Sequence, residues 1–134
     1  MNTDQVLQKY GPLVARILLA QLFIISGFGK ITAFSHTATS MANAGIPVTE
    51  AALVLTIAIE LGGGILLILG WQARWIAAAF FCFTLLATLV FHQFWAADPA
   101  HFQSQLVNFM KNLSIMGGML YVVLYGPGPL ALSR

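Results

Sequence analysis

Glu60, in "IAIELGGGILL", and Lys111, in "VNFMKNLSIMGG", place a carboxylate and an ammonium inside strongly apolar sequence. Such groups in a membrane helix can hold one another, bind a polar ligand or pass a proton. A lone charge at the centre of a bilayer costs roughly 2.5–3.5 kcal/mol on insertion scales, so each needs a partner. Asn108 and Asn112 flank the lysine, and Arg16, Lys30 and His92 add further polar groups to apolar runs.

The elements that must position these residues follow from composition. Of 134 residues 59% are hydrophobic and only 7% charged, with a mean hydropathy of +0.85. A soluble domain carries about a quarter charged residues; this chain is therefore expected to be an integral membrane protein whose main partner is the lipid bilayer. Six Lys/Arg against four Asp/Glu give a net charge of +2 without the basic stripe that nucleic acid requires. The single cysteine, Cys82, rules out an internal disulfide and reads as a small buried hydrophobe.

Four segments are long enough to cross a hydrocarbon core ~30 Å thick: about residues 12–33, 51–70, 74–95 and 105–125. The expected architecture is an all-α four-helix membrane bundle, a single domain over 1–134. "AGIPVTE", "GWQAR", "AADPAH" and "GPGP" supply the breaks. No A-x-A-like cleavage site follows the first span, so it reads as a retained helix. The loop at 34–50 suits a short interfacial helix. Lys9, Arg74 and Arg134 fall on one side, and Lys30 near the first helix end with Glu50 and Asp98 on the other; by the positive-inside rule this modest bias puts both termini in the cytoplasm. Trp71 and Trp75 then belong to the inner interface and Trp95 to the outer.

Depth follows from the ~1.5 Å rise per helical residue. Glu60 and Lys111 fall near mid-depth, within about a turn of each other, and glycines beside both allow close helix approach. A Glu60–Lys111 pair bridging the second and fourth helices is the expected arrangement, with Asn112 completing the lysine's donors. Arg16 and Lys30 sit nearer helix ends, where a long cationic side chain snorkels to the interface. Asn108, Asn112, Gln21 and Thr56, taken singly, read as interhelical glue worth about 0.6 kcal/mol per bond. His92 lies at a helix rim beside Phe91, Phe94, Trp95 and Phe109, an aromatic setting that suits a ligand entering from the outer half. His36, His92 and His101 are too loosely spaced for a metal site, and no metal ligation is expected.

Taken together, "VARILLAQLFIISGFGKI" (14–31), "IELGGGILLILGW" (59–71), "FHQFW" (91–95), "NFMKNLSIMGG" (108–118) and "YGPGPLALSR" resemble the DoxX family. The Lys-Asn pair followed by Gly-Gly is the most distinctive part. The resemblance implies a small four-helix bacterial inner-membrane protein, with Arg16, Lys30, Glu60, His92, Lys111 and Asn112 as matching polar positions. It further implies a tie to quinone, thiol or oxidative-stress chemistry, since related subunits accompany thiosulfate:quinone oxidoreductase. With one cysteine and no cofactor motif, the chain is expected to be a membrane subunit of a redox system, binding a quinone without covalent attachment and needing a partner protein for electron transfer. The competing class is non-enzymatic: a small transporter, a proton-coupled carrier or a membrane scaffold. Much outward-facing helix surface is also compatible with a homodimer.

The charge bias makes the topology testable. An alkaline phosphatase fused after Arg134 should be inactive, because the enzyme works only outside the cytoplasm. Strong activity from that fusion would reverse the orientation.

Overall fold

The computed structural model describes residues 1–133. The described chain is all-helical: α1 (Thr3–Thr32), α2 (Phe34–Asn43), α3 (Thr49–Leu69), α4 (Ala73–Phe91), a 3-10 turn (Phe94–Ala96) and α5 (Phe102–Tyr125). Four of these helices, α1, α3, α4 with its following turn, and α5, are long and apolar enough to cross a membrane. Contacts divide the described chain into two compact units, one of residues 1–73 with 127–133 and one of residues 74–126.

Helix α1 begins well before the expected start at residue 12. Asn2 caps it reciprocally with Gln5: Gln5 N–H donates to Asn2 Oδ1 at 2.9 Å and Asn2 N–H to Gln5 Oε1 at 2.9 Å. Two otherwise orphaned donors at the helix start are thereby satisfied. Pro12 lies inside the helix, where it forfeits one N–H bond without ending the helix. At thirty residues α1 is about 45 Å long, half as long again as the hydrocarbon core.

In the first unit α1 and α3 run antiparallel through small residues. A Cβ on Gly27 would lie 2.9 Å from Leu61 Cγ and 3.2 Å from Glu60 Cβ, and one on Gly64 would lie 2.7 Å from Ile24 Cγ1. The buried stripes are Arg16, Ala20, Phe23 and Gly27 on α1, and Leu53, Glu60, Gly64 and Leu67 on α3. Their steps of three, four and seven put each set on one helical face. The segment at 34–50 does contain a helix, α2, which packs on α1 and α3 and buries Met41.

Helix α3 ends in a Schellman motif: Trp71 N–H donates to Leu66 O and Gly70 N–H to Leu67 O, both at 3.1 Å. Gly70 has φ +73, a left-handed conformation open to glycine. Residues 127–133 return to this end of α3. Leu132 N–H donates to Leu69 O at 3.0 Å, Ser133 N–H to Gly70 O at 3.2 Å, and Gln72 N–H to Ser133 Oγ at 2.9 Å. Gly128, at φ +85, lies against Pro12.

In the second unit α4 buries Ala77, Phe80, Thr84 and Thr88, and α5 buries Met116, Met119 and Val122. Helix α4 stops at Phe91 rather than 95, so His92 lies just beyond it, and α5 starts at Phe102 rather than 105. Cys82 is exposed, contrary to the buried place expected of it; it lies between the buried positions Phe80 and Thr84, off their stripe. Trp71, Trp75 and Trp95 are all exposed, as interface anchors are.

Close packing at Gly64 makes a contrast within one helix. Overpacking a tight site costs about 1–3 kcal/mol, so Gly64→Val should lower the thermal midpoint of the detergent-extracted protein by several degrees. Gly62 has nothing within 4 Å of its would-be Cβ, and Gly62→Ala should leave the midpoint in place.

Candidate functional site

The intramembrane charges of the first unit meet on α1 and α3. Lys30 Nζ donates to Glu60 Oε1 at 2.8 Å and to Ser26 Oγ at 2.7 Å. Ser26 precedes the lysine by one helical turn, and helical side chains lean toward the N-terminus of their helix, so Lys30 folds back over Ser26. Gly27 lets the backbone of α3 come close enough for Glu60 to meet it. The glutamate side chain is 3% exposed and the lysine 25%. Glu60 Oε2 is buried and takes no hydrogen bond among the described residues. An ammonium has three donors; two are used here, leaving one N–H beside the unmatched carboxylate oxygen.

This pair replaces the expected Glu60–Lys111 bridge. Lys111 is exposed, and its ammonium stands 3.5 Å from Asn108 Oδ1 on its own helix. Lys30 is not a snorkelling end-anchor either. Depth along separate helices suggested the wrong partner, because Lys30 counts as a helix-end residue by rise alone although its side chain leans back one turn, to Ser26 and to Glu60.

Arg16 also departs from the snorkelling expectation. Its side chain is fully buried. Nη1 donates to Leu67 O at 3.2 Å and to Ile68 O, while Nη2 donates to Leu130 O. The last carbonyls of a helix have no partner within it and carry its negative dipole end; a guanidinium fork supplies donors and charge together. Arg74 does the same in the second unit, its Nη1 donating to Val123 O at 3.4 Å and Leu124 O at 3.2 Å.

The second unit arranges its polar residues as a seam. Thr84, Thr88 and His92 follow one another at intervals of four, the first two on α4 and His92 just past its end. Asn112 Nδ2 donates to Thr88 Oγ1 at 3.0 Å, and Thr88 Oγ1 donates to Thr84 O at 2.6 Å. Gln105 Nε2 donates to Phe91 O at 3.1 Å, which turns its Oε1 toward His92 Nδ1 at 2.8 Å. That oxygen can only accept, so Nδ1 carries the proton and Nε2 of neutral His92 is left as an acceptor.

The aromatic residues gather on themselves. Phe94 lies edge-to-face with Trp95 (5.2 Å between centroids), Phe102 (6.0 Å) and Phe109 (5.1 Å), and Trp95 with Phe109 (5.9 Å). These rings occupy the space between them. Phe91 lines an open groove at the end of α4 instead.

Ser26, Thr88, Phe102 and Gln105 escaped sequence reasoning. Ser26 is four residues before Lys30 and Gln105 seven before Asn112, spacings that were available as signals once a partner on the facing helix was known.

The DoxX family model matches residues 11–93. The chain belongs to the DoxX family. Its similarity extends over nearly the whole chain in two inner-membrane proteins of Escherichia coli (strain K12). Inner membrane protein YphA is 34% identical over 122 residues, covering 91% of this chain and 87% of the relative. Inner membrane protein YqjF is 39% identical over 128 residues, covering 96% and 93%. No solved structure matches. With its four apolar spans, this DoxX protein is a multi-pass inner-membrane protein. Arg16, Lys30, Glu60 and His92 fall inside the family match, and Lys111 and Asn112 beyond it.

The Lys30–Glu60 pair should behave as a closed unit. Removing one partner of a buried pair costs about 3–5 kcal/mol, whereas replacing both can be nearly neutral. Lys30→Met and Glu60→Leu should each lower folded yield, and the double variant should recover most of it. Additive losses in a thermal-unfolding double-mutant cycle would mean the two charges are not coupled.

Proposed function

We propose that this DoxX protein is a membrane subunit of a quinone-linked redox or oxidative-stress system, and that Lys30 and Glu60 receive the head group of a quinone or a similar small molecule. The reading is supported by one observation above the rest: a buried carboxylate oxygen without a hydrogen-bond partner among the described residues next to a quarter-exposed lysine with an N–H to spare. A quinone carbonyl accepts from an ammonium, and a quinol hydroxyl donates to a carboxylate. A donor and an acceptor side by side in a low-dielectric setting therefore suit both oxidation states. Electrons come from a partner oxidoreductase in this reading, and the chain itself binds and positions. Both termini face the cytoplasm.

The same unmatched oxygen favours a second reading as a proton-coupled carrier, in which Glu60 exchanges a proton with its cargo. Ligand-dependent flux in proteoliposomes belongs to that reading and not to the first.

Ubiquinone or menaquinone analogues should raise the thermal midpoint of the purified protein by mass action, about 2.7 kcal/mol at a hundred times the dissociation constant. The shift should vanish in the Lys30→Met/Glu60→Leu double variant and persist in His92→Ala. No shift in the parent protein at saturating analogue would remove the quinone from the proposal.

A further inference from the structure

The groove at the end of α4 has a volume of about 350 Å³ and is lined in part by Val90, Phe91, Gln93, Asp98, His101 and Gln105. Its polar groups are unevenly committed. Gln105 has both ends of its amide engaged, by Phe91 O and by His92. Gln93 spends its Nε2 on Leu89 O at 3.0 Å, so its carbonyl oxygen is the free end. Asp98 receives His101 Nδ1 at 2.7 Å and His101 N–H at 3.0 Å, both on Oδ1, and the Ala100 backbone also donates to the carboxylate; with about four lone-pair sites it retains acceptor capacity. The side-chain hydrogen bond from His101 holds the Asp98 carboxyl below the usual carboxylate range, so it is charged at neutral pH.

Helix α4 ends at the same place with no basic residue in its last turn. In the first unit the corresponding helix end is answered by Arg16, and at the end of α5 by Arg74. Here the terminal carbonyls are met by neutral donors instead, Gln93 Nε2 on Leu89 O and Gln105 Nε2 on Phe91 O, so no cation answers the negative dipole end, and His101 already gives its Nδ1 to Asp98. The free valences are acceptors. What complements them is a small cation bearing several N–H donors.

The position narrows the source. The groove lies where a membrane-spanning helix ends, flanked by Trp95 at 56% exposure and Phe91 at 36%, the pattern of the headgroup level of a bilayer. We propose that this groove binds a primary ammonium group, that of an ethanolamine phospholipid headgroup, through Asp98 and the Gln93 carbonyl. A choline headgroup has the charge but no N–H to donate. A glycerol headgroup has donors but leaves the lipid anionic. The site is separate from Lys30 and Glu60 and does not depend on their role.

Native mass spectrometry of the whole protein in detergent, given phosphatidylethanolamine, phosphatidylcholine or phosphatidylglycerol of identical acyl chains, tests the assignment. The ethanolamine lipid should be retained at least several-fold better than the choline lipid, and millimolar free ethanolamine should displace it. Asp98 is solvent-exposed, so Asp98→Asn should fold and bring the two lipids to parity, while Gln93→Leu should reduce the preference in part. Equal retention of the ethanolamine and choline lipids by the parent protein overturns the site. So does an undiminished ethanolamine preference in Asp98→Asn. Stabilisation by free ethanolamine or putrescine without any lipid preference overturns the lipid source and leaves a soluble amine site.

Discussion

A single buried guanidinium organises the first unit. Arg16 brings a charge out of water, and part of its cost is offset because every acceptor it meets is a backbone carbonyl at or beyond the end of a helix, though its Nε has no partner among the described residues. Leu67 and Ile68 supply the C-terminal carbonyls of α3, and Leu130 supplies one from the returning segment. No carboxylate is needed, since the dipole end of the helix carries the opposing partial charge. Gly70 completes the arrangement: a side chain there would collide with Ala131 and with the guanidinium itself. The turn, the arginine and the strap are one structure.

From that anchor the register of α1 against α3 follows. With Arg16 held at the end of α3, Ile24 comes beside Gly64, Gly27 beside Glu60 and Leu61, and Lys30 within reach of the carboxylate. The glycines are the condition for the ion pair, because bulkier residues would hold the helices apart and strand both charges. In soluble proteins a pair like this is often dispensable. In a membrane helix the alternative is a bare ion in hydrocarbon, so the helix faces around it are constrained by the charge as much as by shape.

The four spans, the short helix after α1 and Glu60 as an intramembrane charge in need of a partner were legible in the sequence, because hydrophobic length and intramembrane charge are local properties. Partner choice was not. By helical rise Lys111 shared the level of Glu60 while Lys30 read as a helix-end residue, and the Lys30–Glu60 pairing depends on the register of α1 against α3, which spacing along one helix does not encode. The start of α1 was misplaced for a related reason: Pro12 reads as a first-turn residue, and the Asn2–Gln5 box that starts the helix earlier is a two-residue signal easily outweighed by a proline. Cys82 was misassigned because hydrophobicity alone does not separate a bilayer-facing residue from a core one. The role of residues 127–133 had no local signature, since the bonds that tie them to α1 and to the end of α3 span 61 residues (Gln72 to Ser133) to 114 (Arg16 to Leu130).

The strap also sets an order of events during synthesis. Arg16 and Leu130 are separated by 114 residues, and the whole of the second unit is translated between them. When α1 and α3 first enter the bilayer, Nη2 of Arg16 has no Leu130 carbonyl to meet. The first unit must wait, half-capped, while α4 and α5 are made and inserted, and only then can the chain come back to close it. Insertion of the second pair of helices is thus a prerequisite for completing the first, and the nascent protein holds an under-satisfied arginine for that interval. Its membrane assembly is sequential in synthesis but closes in the reverse direction.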